Sequence, residues 1–232
     1  MFFKPTFIID RWVACFDLLG TKNFLARGEE RKVFHAYTSA LDKLRRDGQL
    51  IDVVKHAWFS DTFLIFAHDD SGKSFTEIDL AARSFAYFLL CQHIPFRGAI
   101  SCGRTYADFD GGVYFGLGIV EAYEYAEGQD WIGLLLSQSG MSRLETLGAP
   151  LNNRLNWQLY SIPWKTRPQT ASDQIPACIF GQSFQINGHN LCHDALTEMA
   201  STVARDNPQV LLKYSRAIEF IQKHRRIAAS DR

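Results

Sequence analysis

Ala14 to Thr21 reads ACFDLLGT and Ala57 to Phe66 reads AWFSDTFLIF: two apolar, strand-like runs, each delivering one aspartate at its end. Trp12 to Leu19 is rich enough in aromatic and aliphatic residues for a buried strand, and it stops at Gly20. Val53 to Phe59 and Thr62 to Ala67 read as an antiparallel pair, because only Ser60 and Asp61 separate them. The turn itself carries the acid.

An acid inside a Phe/Leu/Ile run is costly to bury unless it is paired or bound to a cation. Asp17 and Asp61 lie too far apart along the chain for a local chelate, but two neighbouring strand ends sit about 5 Å apart. Together they suit hard divalent cations, which take oxygen ligands, and the two-metal chemistry of phosphoryl transfer. The backbone from Leu18 to Thr21, with Gly20 permitting close approach, would supply N–H donors to phosphate oxygens. The alternative stands beside it: Ser60-Asp61 is good turn chemistry by itself, and an acid at a strand end is often a cap.

Outward from these runs, Glu29 to Arg46 reads as a helix with Val33, Tyr37, Leu41 and Leu44 on one face and Gly48 as the stop. Ser74 and Glu77 have capping-box spacing before a helix that places Phe75, Ile78, Ala82, Phe85 and Leu89 at steps of three and four, ended by Pro95. Arg97 to Tyr106 and Val113 to Phe115 flank the hairpin signal Asp110-Gly111-Gly112. A helix from Leu117 to Glu127 and a strand from Trp131 to Leu136 follow. The order predicts an α+β fold, a mainly antiparallel sheet with helices on one face.

After Gly148 the texture changes. Pro150, Pro163, Pro168 and Pro176 punctuate short segments, including the strand candidate Leu155 to Ile162, and an amphipathic helix from Val210 to His224 closes the chain. The division expected is a domain over 1–148 and a C-terminal extension over 149–232, packed on the same core or on a partner subunit.

The 232 residues are 47% hydrophobic, ample for a core, and carry zero net charge with 22% charged residues, so the footprint of a duplex-binding protein is missing. A small charged ligand fits better than a nucleic acid. The 5 cysteines (Cys15, Cys91, Cys102, Cys178, Cys192) form no closely spaced framework and read as reduced thiols. Lys4, Pro5 and Asp10 break any signal-peptide core, and no run approaches the ~20 apolar residues needed to span a bilayer. A cytoplasmic protein without a membrane partner is expected.

FDLLGT (Phe16 to Thr21), FSDTFLIF (Phe59 to Phe66), RGAISCG (Arg97 to Gly103) and GLGIVEAYEYAE (Gly116 to Glu127) fall in the order and spacing of the class III nucleotidyl cyclase catalytic domain. The chain resembles that family over roughly residues 10 to 148. Within it the chain looks most like the pyrimidine cyclases of the bacterial Pycsar anti-phage systems, which make cyclic UMP or cyclic CMP. VEAYEYAE and the tail with Ile162-Pro163-Trp164-Lys165 and a terminal helix are similar to that branch.

The resemblance implies a ferredoxin-like sheet, a homodimer with sites at the subunit interface, and two divalent ions per site, Mn²⁺ or Mg²⁺. It implies Asp17 and Asp61 as the metal aspartates and Leu18 as a backbone-carbonyl metal contact. Phe16, Leu19, Gly20 and Thr21 match substrate-binding positions, the last three in the triphosphate-cradling turn. Arg97 matches the basic residue opening the R-x-G-I strand, with a catalytic and substrate-binding role.

Departures from the family are equally specific. Purine cyclases read the base with a Lys before the second aspartate and a polar residue ahead of the helix; those positions fall near Ala57 and Val113. Neither side chain can hydrogen-bond, which argues against a standard adenylyl or guanylyl cyclase. The Asn and Arg of the following helix fall at Val120 and Glu124, leaving Arg104 as the candidate for the positive charge.

His189, Cys192, His193 and Cys178 fit no common zinc spacing, so a surface or capping role is expected. Gly116-x-Gly118 lacks a third glycine, with Glu121 in its place, and Ser137-Gln138-Ser139-Gly140 is no nucleophile elbow but a helix cap. Lys213, Arg216, Lys223, Arg225 and Arg226 read as cations complementing a helix dipole, and Tyr123 and Tyr125 as core aromatics.

The function expected is conversion of UTP, or second CTP, to its 3′,5′-cyclic monophosphate and pyrophosphate. By resemblance the product serves anti-phage defence through a cyclic-nucleotide-responsive effector. The alternatives are a degenerate cyclase-fold nucleotide-binding module, or a purine or dinucleotide cyclase.

Overall fold

A computed structural model describes residues 8–46, 54–149, 151, 156–180, 185–186, 189–203 and 207–225. Gly48, Val53, Pro150, Leu155 and Arg226 lie outside the described residues. In chain order the elements are β1 (Ile9–Leu18), α1 (Thr21–Ala26), α2 (Glu30–Arg46), β2 (Val54–Phe59), β3 (Thr62–Ala67), α3 (Gly72–Cys91), β4 (Phe96–Asp108), β5 (Val113–Gly116) and α4 (Leu117–Gly128). They continue with β6 (Gly133–Leu136), α5 (Gln138–Thr146), β7 (Trp157–Tyr160), β8 (Ile175–Cys178), the short ribbon β9 (Gln185–Ile186) and β10 (His189–Asn190), α6 (Leu191–Thr202) and α7 (Pro208–Arg225).

The main sheet runs β2-β3-β1-β4-β6-β8-β7, with β5 folded onto β4. Its pairs are antiparallel except β4 with β6. This is the α+β fold that the pattern of runs implies. Strands β8 and β7, from beyond residue 148, continue the same sheet through Leu135 opposite Ala177.

The sequence pattern places the helices on one face; in the structure they cover both. Trp12 and Phe16 of β1 pack on Phe75 and Phe85 of α3, with ring centroids 4.7 and 5.0 Å apart. Ser101 of β4 lies opposite Val13, so it points the other way, and its hydroxyl donates to the Gly118 carbonyl of α4 at 2.5 Å. The reason is legible in β1: Trp12 to Phe16 is a continuous buried run rather than an alternation, the mark of a strand covered on both sides. Close approach of α4 needs Gly118, where an added Cβ would lie 2.6 Å from the Thr105 hydroxyl and 3.0 Å from the Gly103 carbonyl.

Local signals also shifted by a turn. α3 is capped by Ser71, which accepts from the Ser74 amide at 3.2 Å, because Asp69 takes the Ser74 hydroxyl at 2.6 Å. Ser137 caps α5 by accepting from the Gly140 amide, and Asn190 caps α6 by accepting from Cys192 and His193. All 5 cysteines are free. No described helix is long and apolar enough to cross a membrane.

Candidate metal and phosphate site

Strand register brings the two aspartates together. On β1, Asp17 stands between Thr62 of β3 and Arg97 of β4. The Leu18 amide donates to the Asp61 carbonyl at 2.9 Å, fastening the β2–β3 turn to the end of β1. Ser60 makes that turn in a left-handed conformation, φ 56°, and its carbonyl accepts from the Trp58 indole at 2.7 Å.

Asp17 is half-buried, and burial is the largest influence on its carboxyl, pushing its pKa up. The Arg97 guanidinium pulls in the other direction, through an ion pair and hydrogen bond, while the negative charges of Asp61 and Glu127 push up again. Arg97 is held from behind: Nη1 donates to the carbonyls of Glu127 at 2.5 Å and Gln129 at 3.1 Å. These lie at the C-terminal end of α4, where the helix dipole favours a cation. Gln129 is itself fully buried, donating to the Gly98 and Tyr125 carbonyls and accepting from the Trp131 indole.

The donor set fits hard divalent ions. Two carboxylates near enough to repel one another, one of them with its pKa raised by burial, favour a bound cation that would offset both effects. The Leu18 carbonyl, which accepts from the Thr21 hydroxyl at 3.3 Å, adds a third oxygen at the same strand end.

The remaining sequence-predicted residues divide. Leu19 is half-buried and its amide donates to the Pro95 carbonyl at 2.9 Å. Gly20, exposed at φ 79°, turns the chain into α1, which begins at Thr21. Phe16 does not face the site: its side chain is fully buried against Phe85 and Phe96, on the opposite face of β1 from Asp17. Arg104 is exposed on the opposite face of β4 from Arg97, about 23 Å along the strand at ordinary rise. It therefore lies outside the Asp17–Asp61 site of its own chain.

Ala57 is half-buried, while Val113 and Val120 are 48% and 50% exposed. Tyr125 is core, as expected, but Tyr123 is exposed. Its phenol has a pKa raised first by burial and then by the nearby Glu127 and Asp17 charges. Lys213 and Arg216 do not serve the helix dipole: Asp130 takes Lys213 at 3.7 Å and Arg216 at 2.5 Å. Glu127, Gln129, Tyr123 and Lys213 were missed because their proximity to Asp17 or Arg97 is created by long-range contacts, with no local pattern to announce it.

No protein-family model and no curated protein matches the sequence. Solved structures do match. The catalytic core of a rhodopsin-guanylyl cyclase with converted specificity, in complex with ATPαS, superposes at TM-score 0.52 and 10% identity, covering 73% of this chain and 93% of that one. An adenylate cyclase from Trypanosoma brucei, in its monomeric state, gives TM-score 0.51 at 10% identity over 72% of this chain and 87% of that one. The adenylyl cyclase CyaB from P. aeruginosa gives 0.50 at 10% identity over 78% and 97%. The fold is that of the class III adenylyl and guanylyl cyclase domains.

Proposed function

We propose that the chain is a metal-dependent nucleotidyl cyclase of the class III family, acting on a pyrimidine triphosphate, UTP first and CTP second. The observation that carries the reading is the placement of Asp17, Asp61 and the Leu18 carbonyl at one strand junction within a cyclase fold. Asp17, the Leu18 carbonyl and Asp61 would hold two Mg²⁺ or Mn²⁺ ions, which would lower the pKa of the attacking hydroxyl and neutralise charge on the polyphosphate. The ribose 3′-oxygen forms a bond to the α-phosphorus, the bond to the β-phosphate oxygen breaks, and pyrophosphate leaves. The chain contributes mainly positioning and electrostatics.

Arg97, paired with Asp17 and braced by the Glu127 and Gln129 carbonyls, is the side chain placed to meet phosphate oxygens. With the Leu18 and Leu19 amides already donating to the Asp61 and Pro95 carbonyls, the phosphate turn is left to Gly20 and Thr21. The pyrimidine assignment is supported by Ala57 and Val113, which offer no side-chain hydrogen bond where purine cyclases read the base. The product then serves as a second messenger in anti-phage defence, reaching an effector that binds the cyclic nucleotide, and the enzyme works as a cytoplasmic homodimer.

Incubation of purified protein with each of the four ribonucleoside triphosphates and Mn²⁺ tests this. The expected product is 3′,5′-cyclic UMP, lost in Asp17→Ala and Asp61→Ala. A cyclic purine as main product overturns the pyrimidine assignment, and no cyclic product from any triphosphate overturns the cyclase. A second reading, a nucleotide-binding module without turnover, is favoured by one observation: exposed Val120 and Glu124 stand where the family keeps its ribose and transition-state groups. It predicts metal-dependent triphosphate binding with no product.

A further inference from the structure

The Arg97 guanidinium is aimed by contacts at its two terminal nitrogens. Nη1 donates to the Glu127 and Gln129 carbonyls at 2.5 and 3.1 Å and Nη2 to the Asp17 carboxylate, while the buried Nε has no hydrogen-bond partner among the described residues. The direction of the side chain therefore depends on where those two carbonyls sit relative to β4.

Gln129 fixes that separation. Its carbonyl takes Arg97, and its side-chain amide donates at 2.9 Å to the carbonyl of Gly98, the next residue of β4. A ring closes from the main chain beside Arg97, through Gln129, back to the Arg97 guanidinium. The amide nitrogen also donates to the Tyr125 carbonyl of α4 at 2.9 Å, and Oε1 accepts from the Trp131 indole at 2.7 Å. Both amide protons and the oxygen are engaged in a fully buried residue, so the group has a single orientation.

The segment beyond residue 148 braces the same stretch from outside. The Gly128 carbonyl accepts from the Lys165 and Thr166 amides at 2.7 and 3.1 Å, and the Asp130 amide donates to the Pro163 carbonyl at 2.7 Å. From α7, Arg216 donates to both the carbonyl of Asp130, at 2.8 Å, and its carboxylate, at 2.5 Å. The residues on either side of Gln129 are thus pinned.

We infer that Gln129 is a positioning residue for Arg97, held in place by Arg216 and the 163–166 loop, so that the C-terminal segment sets the direction of a side chain on β4. That the positioned group meets phosphate rests on the cyclase reading; the positioning does not.

NMR of the full chain carrying ¹⁵N-arginine reads the positioning without turnover, with the Arg97 signals assigned by their loss in Arg97→Lys. Wild type is expected to show separate Nη resonances for Arg97, because both terminal nitrogens are held. Gln129→Met keeps the length of the side chain, loses its three hydrogen bonds, and should merge those resonances through rotation about the Cζ–Nη bonds. Arg216→Gln should broaden them in the same direction, whereas Ile78→Val, a core change on α3, should leave them as in wild type. With UTP and Mn²⁺, kcat/KM of Gln129→Met is expected to fall about a hundredfold, the cost of misplacing a positioned group by about 1 Å, and that of Ile78→Val to stay near wild type. Arg216 lies on the half-buried surface of α7, so its variant decides the matter if Gln129→Met does not fold. Arg97 signals unchanged in the folded variants, or already averaged in wild type, overturn the inference. Averaging in the variants, with no cyclic product from wild type, supports the positioning and removes the cyclase reading.

Discussion

Asp17 and Arg97 stand directly opposite one another on β1 and β4 and form a largely buried ion pair, with 15% and 9% of their side chains exposed. The pair is unequal in its support. Arg97 also donates to two main-chain carbonyls, whereas the hydrogen bond described for the Asp17 side chain is the one from Arg97.

That inequality sets opposite outcomes for the two truncations. Arg97→Ala leaves a buried carboxylate facing the charge of Asp61 and is expected to cost about 3 kcal/mol, the lower end for breaking a buried pair. Asp17→Asn removes a carboxylate whose ionisation is already opposed by burial, and in metal-free buffer its stability should match or exceed wild type. Urea unfolding at neutral pH measures both; equal losses in the two variants would contradict the asymmetry. Neither variant should retain turnover.

Strand-level features were legible where they are local. The bounds of β3 and the Ser60-Asp61 turn follow from composition alone, as does Asp17 at the end of β1. Faces were harder. The Trp12 to Phe16 run already excludes a one-sided sheet, yet only the contacts of Phe75 and Gly118 show which helix covers which side. Arg104 looked equivalent to Arg97 by charge, and strand parity separates them. Lys213 finds Asp130 across 83 positions of chain, an encounter no periodicity encodes.

Asp79 ties the segment after residue 148 to the core. Its carboxylate accepts two bonds from Arg83, both at 3.0 Å, and one from the Trp157 indole of β7 at 2.9 Å, while only 7% of its side chain is exposed. Asp79→Ala strands a buried guanidinium and an indole N–H together and is expected to cost about 3–5 kcal/mol. A single unfolding transition, shifted as a whole, should appear in calorimetry. If instead a separate early transition for the C-terminal segment appears already in wild type, that segment is its own unit.

His224 gives α7 a pH dependence. It is 5% exposed beside Phe220, neither ring nitrogen has a hydrogen-bond partner among the described residues, and burial, then the Lys223 charge, lowers its pKa below the usual 6.5. A depressed histidine contributes stability that is present above the unfolded pKa and lost as pH falls through the folded one. The melting temperature should therefore drop on acidification from pH 7 toward 5. His224→Leu should raise it by removing the unpaired nitrogens, worth about 1 kcal/mol, and flatten that part of the slope. An unchanged slope in the variant would assign the acid sensitivity elsewhere.

The exposed side of α4 predicts the assembly. Leu117, Val120 and Tyr123, at 72%, 50% and 43% exposure, form one stripe at helical spacing, and Val113 and Phe115 of β5 stand beside it at 48% and 51%. Such a contiguous row is what a partner surface buries, and the apolar core of an interface tolerates a charge poorly. Val120→Glu should leave the melting temperature of the monomer nearly unchanged, since the side chain is half in water already. Sedimentation at micromolar concentration should show a dimer for wild type and a monomer for the variant. If activity requires the proposed homodimer, turnover falls with the dimer. A wild-type chain that stays monomeric at tens of micromolar would remove the dimer, and with it the explanation for this stripe.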